Sequence, residues 1–225
     1  MQRRHFSALV ATTAMLGVRS VGAADVSEGD AASGIRVALE RGAVAAVGLL
    51  GRPDGFLANP KVRIPLPGYL NDAAKALRFT GQQQRVDELV TAMNRAAEAA
   101  VPEAKALLVA AVKSVSVGDA RRIVTGGEDS VTRFFADKTR APLGERFLPI
   151  VKRHTASVDL ANRFNAVAGQ AAHLGLVKGD DANVDRYVTT KALDGLYLMI
   201  GEEEKKIHRD PVGTGSVLLA KVFGS

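Results

Sequence analysis

Nine polar side chains have types and spacings that could do chemistry, and they fall into three groups. Arg52, Asp54, Asn59 and Arg63 lie in a proline-rich segment. Asn94, Arg95 and Glu98 share one face of a long helical stretch, and Lys191 and Asp194 stand three apart on a later one. Arginines grouped with an acid could hold an anionic ligand, because a guanidinium presents a planar fork of donors to carboxylate or phosphate. Glu98 or Asp54 could serve as an acid or base. The same residues could equally satisfy one another and the carbonyls that neighbouring prolines leave without donors. The sequence leaves the ligand site and the structural network both open.

Other chemistries have less to stand on. The chain has no cysteine, which excludes disulfides, thiolate nucleophiles, cysteine-ligated zinc and iron–sulfur clusters. His5 falls in a leader, and His154, His173 and His208 fall on separate helical stretches without a second histidine at ligand spacing. Glu204 and His208 would supply two ligands, short of a site, so no metal is expected. Asp181-Ala182-Asn183-Val184-Asp185 imitates the opening of a calcium loop, but Arg186 and Ala192 stand where glycine and glutamate are needed. Helix capping explains those residues better. Thr125-Gly126-Gly127 and Gly213-Thr214-Gly215 follow no strand and lack a phosphate-binding lysine, so both read as helix punctuation. No nucleophile elbow is present, and no cofactor is called for.

The elements that must position the nine residues read as helices. Val86, Leu89, Val90, Met93, Ala97, Ala100, Val101, Ala104, Leu107, Leu108, Ala111 and Val115 recur at steps of three and four, which makes 84–115 one long helix with other helices against it. Pro102 sits in its middle. The stripe stays in phase across the proline, so the expectation is a kinked, near-continuous helix, with Asn94, Arg95, Glu98, Glu103 and Lys105 around the kink. Residues 51–67 carry four prolines, and Val62, Ile64 and Leu66 alternate with Arg63. That pattern predicts a turn at 52–55 and then an extended strap that buries one side and presents Arg63 on the other.

Further helices are expected over about 27–50, 69–79, 117–125, 130–139, 143–154, 159–174 and 184–209, with a short last one opened by Thr214. Ser27 with Asp30 and Ser116 with Asp119 have capping-box spacing, and Asn183 caps the late helix. Glu202 to Lys206 reads as a solvated face of paired charges. No stretch alternates long enough for a sheet. With 225 residues, 47% of them hydrophobic, the chain can bury one ordinary core. The fold class is therefore all-α: a single domain, 25–225, of about eight helices packed on the long kinked one.

The first 24 residues read as a targeting signal. Arg3 and Arg4 precede an apolar run, Ala8 to Val18, too short for a stable transmembrane anchor, and Val21-Gly22-Ala23-Ala24 makes a small-residue cleavage site. Arg3-Arg4-His5-Phe6 resembles a twin-arginine signal; the general secretory route is the alternative. Cleavage would remove three arginines and no acid, taking the formal charge from +6 to +3. That is too little, and too evenly interspersed with acids, to imply nucleic acid.

Gly51 to Pro67, with Asn94-Arg95-Ala96-Ala97-Glu98, Val101-Pro102-Glu103-Ala104-Lys105, Thr125-Gly126-Gly127 and Lys191-Ala192-Leu193-Asp194-Gly195-Leu196, resembles a family of exported proteobacterial proteins catalogued only as a domain of unknown function. The resemblance covers nearly the whole of 25–225. It implies an all-helical envelope protein and supplies no catalytic residues. The expectation is a periplasmic, non-enzymatic module that binds a small ligand or protein partner. An enzyme using carboxylate acid–base chemistry at Glu98 or Asp54 is one alternative; a structural protein acting through oligomerisation is another. The sequence names neither the ligand nor the oligomeric state.

Overall fold

The computed structural model describes residues 28–127, 130–173 and 183–209, and within them the chain is helical with no strand. The leader, Ser27 of the first capping box, the start of the calcium-like stretch and the helix expected at Thr214 lie outside the described residues. Among the described residues eight α-helices follow in order: α1 Glu28–Leu50, α2 Asn71–Phe79, α3 Gln83–Ala100, α4 Ala104–Lys113, α5 Val117–Thr125, α6 Ser130–Thr155, α7 Asp159–His173 and α8 Val184–Arg209.

The long apolar stripe becomes the spine of the fold. Val86, Leu89, Met93, Ala97, Ala100, Val101, Ala104 and Leu108 are fully buried. Pro102 does not interrupt the rod. It brings no N–H for the carbonyl of Glu98, and the backbone tightens into a 3-10 turn over Val101–Glu103, where the Ala104 N–H returns to the Val101 carbonyl. The dihedrals of Ala100, Val101, Glu103 and Ala104 are helical, so α3 and α4 act as one rod. Four rods pack together: α1, α3 with α4, α6 and α8, with α2, α5 and α7 on their flanks.

Two expected helices, 130–139 and 143–154, are one. α6 runs unbroken through Pro142 and Pro149. Its buried positions Val131, Phe135, Thr139, Leu143, Phe147, Val151 and Thr155 fall four apart across both prolines, and burial of three large side chains on this ridge outweighs two lost backbone bonds. His154 is exposed rather than on that face.

Local signals at the ends are met. The Ser116 hydroxyl accepts from the Asp119 N–H at 3.0 Å, and the Asp119 carboxylate accepts from the Ser116 N–H at 3.0 Å. The Ser116 N–H and, at 2.8 Å, the Ser116 hydroxyl donate to the Asp119 carboxylate, and with Arg122 they lower its pKa to about 2. Asn183 accepts from the N–H groups of Asp185 and Arg186 at 2.8 and 3.2 Å. Near the end of α8, Lys206 pairs with Glu203 and Lys205 with Glu202, although these acids are half-buried rather than fully solvated.

The strap lies where α8 makes room for it. A Cβ on Gly195 would stand 2.9 Å from the Phe56 ring and 3.2 Å from Val62, whereas one on Gly144 of α6 would meet nothing closer than Leu193 at 3.9 Å. Gly195→Ala is therefore expected to destabilise by about 1–3 kcal/mol through overpacking. Gly144→Ala should stabilise by up to about 1 kcal/mol through helix propensity. Thermal melts followed by circular dichroism read both signs; a higher midpoint for Gly195→Ala would contradict this packing.

Candidate functional site

The segment between α1 and α2 has to satisfy its own backbone without regular structure. Turns do part of it. Gly55 N–H returns to the Arg52 carbonyl at 3.0 Å, Asn59 to Phe56 at 3.1 Å, and the N–H groups of Val62 and Arg63 both reach the Asn59 carbonyl. Bends and turns fill 51–62 apart from Asn59, so the stretch free of turns, 63–67, is shorter than the prolines suggest, and Pro67 at its end is extended. The alternation does appear: Val62 and Ile64 are buried, Leu66 is half-buried and Arg63 is exposed.

Two side chains of α3 take the rest. Asn94, fully buried, accepts from the Ile64 N–H at 2.9 Å and donates to the Ile64 carbonyl at 2.9 Å and the Val90 carbonyl at 2.8 Å. It treats one strap residue as a neighbouring strand would. Glu98, one turn on and 5% exposed, accepts from the N–H groups of Phe56 and Leu57 at 3.0 and 3.1 Å on Oε1. Its Oε2 accepts from Arg95 Nη1 at 2.7 Å. Arg95 then reaches Asp54 through Nη2 at 2.8 Å. Its own pKa is raised, first by the hydrogen bond to Glu98 and also by the Coulomb field of both acids.

Asp54 closes the chain of contacts at a backbone position few residues take. Its φ of 65° is left-handed, where aspartate is better tolerated than most side chains. Next to it Gly55 is obligatory, since a Cβ there would lie 2.4 Å from the Leu50 carbonyl oxygen. The tight turn drives Phe56 inward, to full burial beside Gly195.

Five of the nine residues are thus tied together or to the same segment: Asp54, Asn59, Asn94, Arg95 and Glu98. Asn59 acts within the strap, its side chain accepting from the Lys61 N–H at 3.1 Å, while the Lys61 ammonium pairs with Glu202 of α8. Arg52 and Arg63 are exposed and make no hydrogen bond or ion pair with another described residue. Lys191 and Asp194 belong to a different contact. Asp194 pairs with Arg140 of α6 at 2.5 Å and with Lys191 at 3.8 Å, and Lys191 lies over the Tyr187 ring. Arg140 stacks on Tyr197, whose buried hydroxyl lies 2.9 Å from the Thr139 hydroxyl.

Three grooves lined by described residues lie away from the strap: about 1070 Å³ between α3 and α7, about 490 Å³ between α5 and α6, and about 390 Å³ between α6 and α8 beside Arg140 and Arg186. No group of three or more metal-binding side chains occurs among the described residues. None of the described helices is long and apolar enough to cross a membrane.

Residues 25–224 match the family described as Protein of unknown function (DUF4197). The chain belongs to that family. No curated protein and no solved structure matches it. In this DUF4197 chain, four of the five stretches that carried the resemblance meet, 51–67, 94–98, 101–105 and, through Gly195, 191–196: the strap, its two anchors, the Pro102 turn and the Gly195 gap are one assembly, while 125–127 ends α5. Gly51 packs against the Pro102 ring, 3.0 Å from where its Cβ would be.

Sequence reasoning missed Phe56 as a core residue, although an aromatic side chain just after Asp54-Gly55 is a signal of inward burial. It also missed a second polar junction of the DUF4197 chain. There the buried Asp185 carboxylate accepts from Thr155 at 2.5 Å and Asn165 at 3.4 Å, joining α6, α7 and α8.

The anchors make an ordered prediction for urea unfolding. Asn94→Ala strands two buried groups of Ile64, each costing about 1–3 kcal/mol. Glu98→Gln keeps an acceptor for Phe56 and Leu57 but loses the charge and the bond from Arg95, whose guanidinium would face an amide NH2, so it should cost about 1–3 kcal/mol, less than Glu98→Ala, which also strands the two backbone N–H groups. Asp54→Asn removes a half-exposed ion pair worth at most about 1 kcal/mol. Equal losses for Glu98→Gln and Glu98→Ala would show that backbone capture is not what Glu98 does.

Proposed function

We propose that this chain is exported and works in the envelope as a non-enzymatic module that binds an anionic small ligand or an acidic protein partner on the outer side of the strap. The observation that carries the reading is the division of labour along the strap. Every polar atom of Asn94 and Glu98 aimed at it is consumed in holding its backbone, while Arg52 and Arg63 stay exposed with no partner among the described residues. A rigid backbone that presents guanidinium groups loses little entropy on binding, and arginine suits carboxylate or phosphate recognition.

The acid–base alternative loses its main candidate on the same observation. Both oxygens of Glu98 are taken by donors of its own chain, Oε1 by two backbone N–H groups and Oε2 by Arg95, so neither is turned to a substrate. Asp54, half-exposed, is held to Arg95 through Oδ1. Export is supported by the leader and by the family match, which begins at residue 25, where the leader ends.

Native mass spectrometry of the chain purified from the envelope, coupled to crosslinking, tests this reading. A bound species or crosslinked partner is expected, released on denaturation and reduced about ten-fold or more in occupancy by Arg52→Ala with Arg63→Ala while the helical spectrum is unchanged. Binding that is indifferent to both arginines, or turnover abolished by Glu98→Gln in a fully folded variant, would contradict it.

A further inference from the structure

Among the described residues, five large apolar side chains are exposed: Val37, Val44, Phe79, Val117 and Leu198. Two of them stand on α1 seven residues apart, and so on one side of the helix. That outer side is made of Ser33, Val37, Glu40, Arg41, Val44, Ala45 and Gly48, with Arg36 half-buried at its margin. The opposite side, Ile35, Leu39, Ala43, Ala46 and Leu50, faces the core. Val117 is exposed as well. It opens α5 two residues beyond the Val115 carbonyl, which accepts 3.0 and 2.7 Å bonds from Arg36 and is thereby held at the Val37 end of α1.

The order of residues on this side is self-complementary when reversed. About a point between Glu40 and Arg41, Val37 answers Val44, Glu40 answers Arg41, and Ser33 answers Gly48. Two identical helices running antiparallel about a two-fold axis place such positions opposite each other, and an isologous interface requires that match. We propose that the outer face of α1 is where a second copy of this chain docks, α1 against α1 antiparallel, on an axis between Glu40 and Arg41. Each Val37 packs on Val44 of the second copy, and two Glu40–Arg41 ion pairs form, one on either side of the axis.

Gly48 has nothing within 4 Å of where a Cβ would be, so the helix ends can approach closely there. Arg41 also interacts within its own chain, and a guanidinium with five donors can take a second carboxylate. A single helix face is smaller than the ~800 Å² per partner of a standard stable interface. The association is accordingly concentration-dependent, and charge matching sets its specificity.

Charge reversal tests the pairing. In sedimentation velocity over a concentration series, wild type is expected to move between monomer and dimer. Glu40→Arg or Arg41→Glu alone turns both ion pairs into repulsions and should raise the dimer dissociation constant about ten-fold or more. The double reversal rebuilds both pairs and should restore the wild-type constant to within about three-fold. Circular dichroism shows that each variant is folded, and Val44→Glu should leave the fold and abolish the dimer. A wild-type chain that stays monomeric throughout, a dimer indifferent to the single reversals, or a folded double reversal that fails to recover association would each overturn the proposal.

Discussion

The carboxylate of Glu98 is almost out of contact with water and still has three donors, and the path of the chain between α1 and α2 depends on that. A strap of turns and prolines cannot supply its own ladder of hydrogen bonds, and burying its backbone without partners would cost more than its apolar side chains return. Asn94 and Glu98 supply the partners from successive turns of α3. With the backbone held, Phe56, Val62 and Ile64 become core residues, and the four rods close around them. Arg95 then extends the same network to the surface through Asp54.

The sites of glycine fit the same constraint. Gly51 lies under Pro102, Gly55 under the last carbonyls of α1, and Gly195 under the Phe56 ring. Each marks a close approach to the strap or to the Pro102 turn beneath it, rather than a loose point in the chain. The spine beneath is continuous because the 3-10 turn at Val101–Glu103 absorbs the missing donor without changing the phase of the stripe.

Much of this was legible in the sequence. Apolar periodicity located α1 and the α3–α4 rod, which bury one side, and α8, whose buried positions run nearly all the way round because it packs on α1, α3 and α6. The capping spacings of Ser116 with Asp119 and of Asn183 located two helix starts, since cap geometry is local. Two prolines misled the reading of 130–155: local propensity argues for a break, whereas the buried ridge from Val131 to Thr155 is long enough to override it. Of the nine polar candidates, Asp54 meets the kink group of Asn94, Arg95 and Glu98 while Arg52 and Arg63 stay apart from it, and nothing in the spacing said which acid would cap which amide. Lys191 and Asp194 turned to Arg140 because the faces of α8 are set by its neighbours on both sides, and a single sequence does not carry that arrangement.

The same physics frames function. Residues that hold a backbone are unavailable for turnover, and Arg52 and Arg63 stand exposed on a held support; the proposal of recognition rather than catalysis rests on that partition. Its central claim is that the strap is a fixed part of the fold. Native-state amide exchange at Phe56, Leu57 and Ile64 measures this directly. The account predicts that these three amides are protected nearly as well as those of Leu89 and Met93 in α3, through openings that approach global unfolding. Exchange as fast as that of an exposed loop amide would mean that the strap opens on its own and that Asn94 and Glu98 do not fix it.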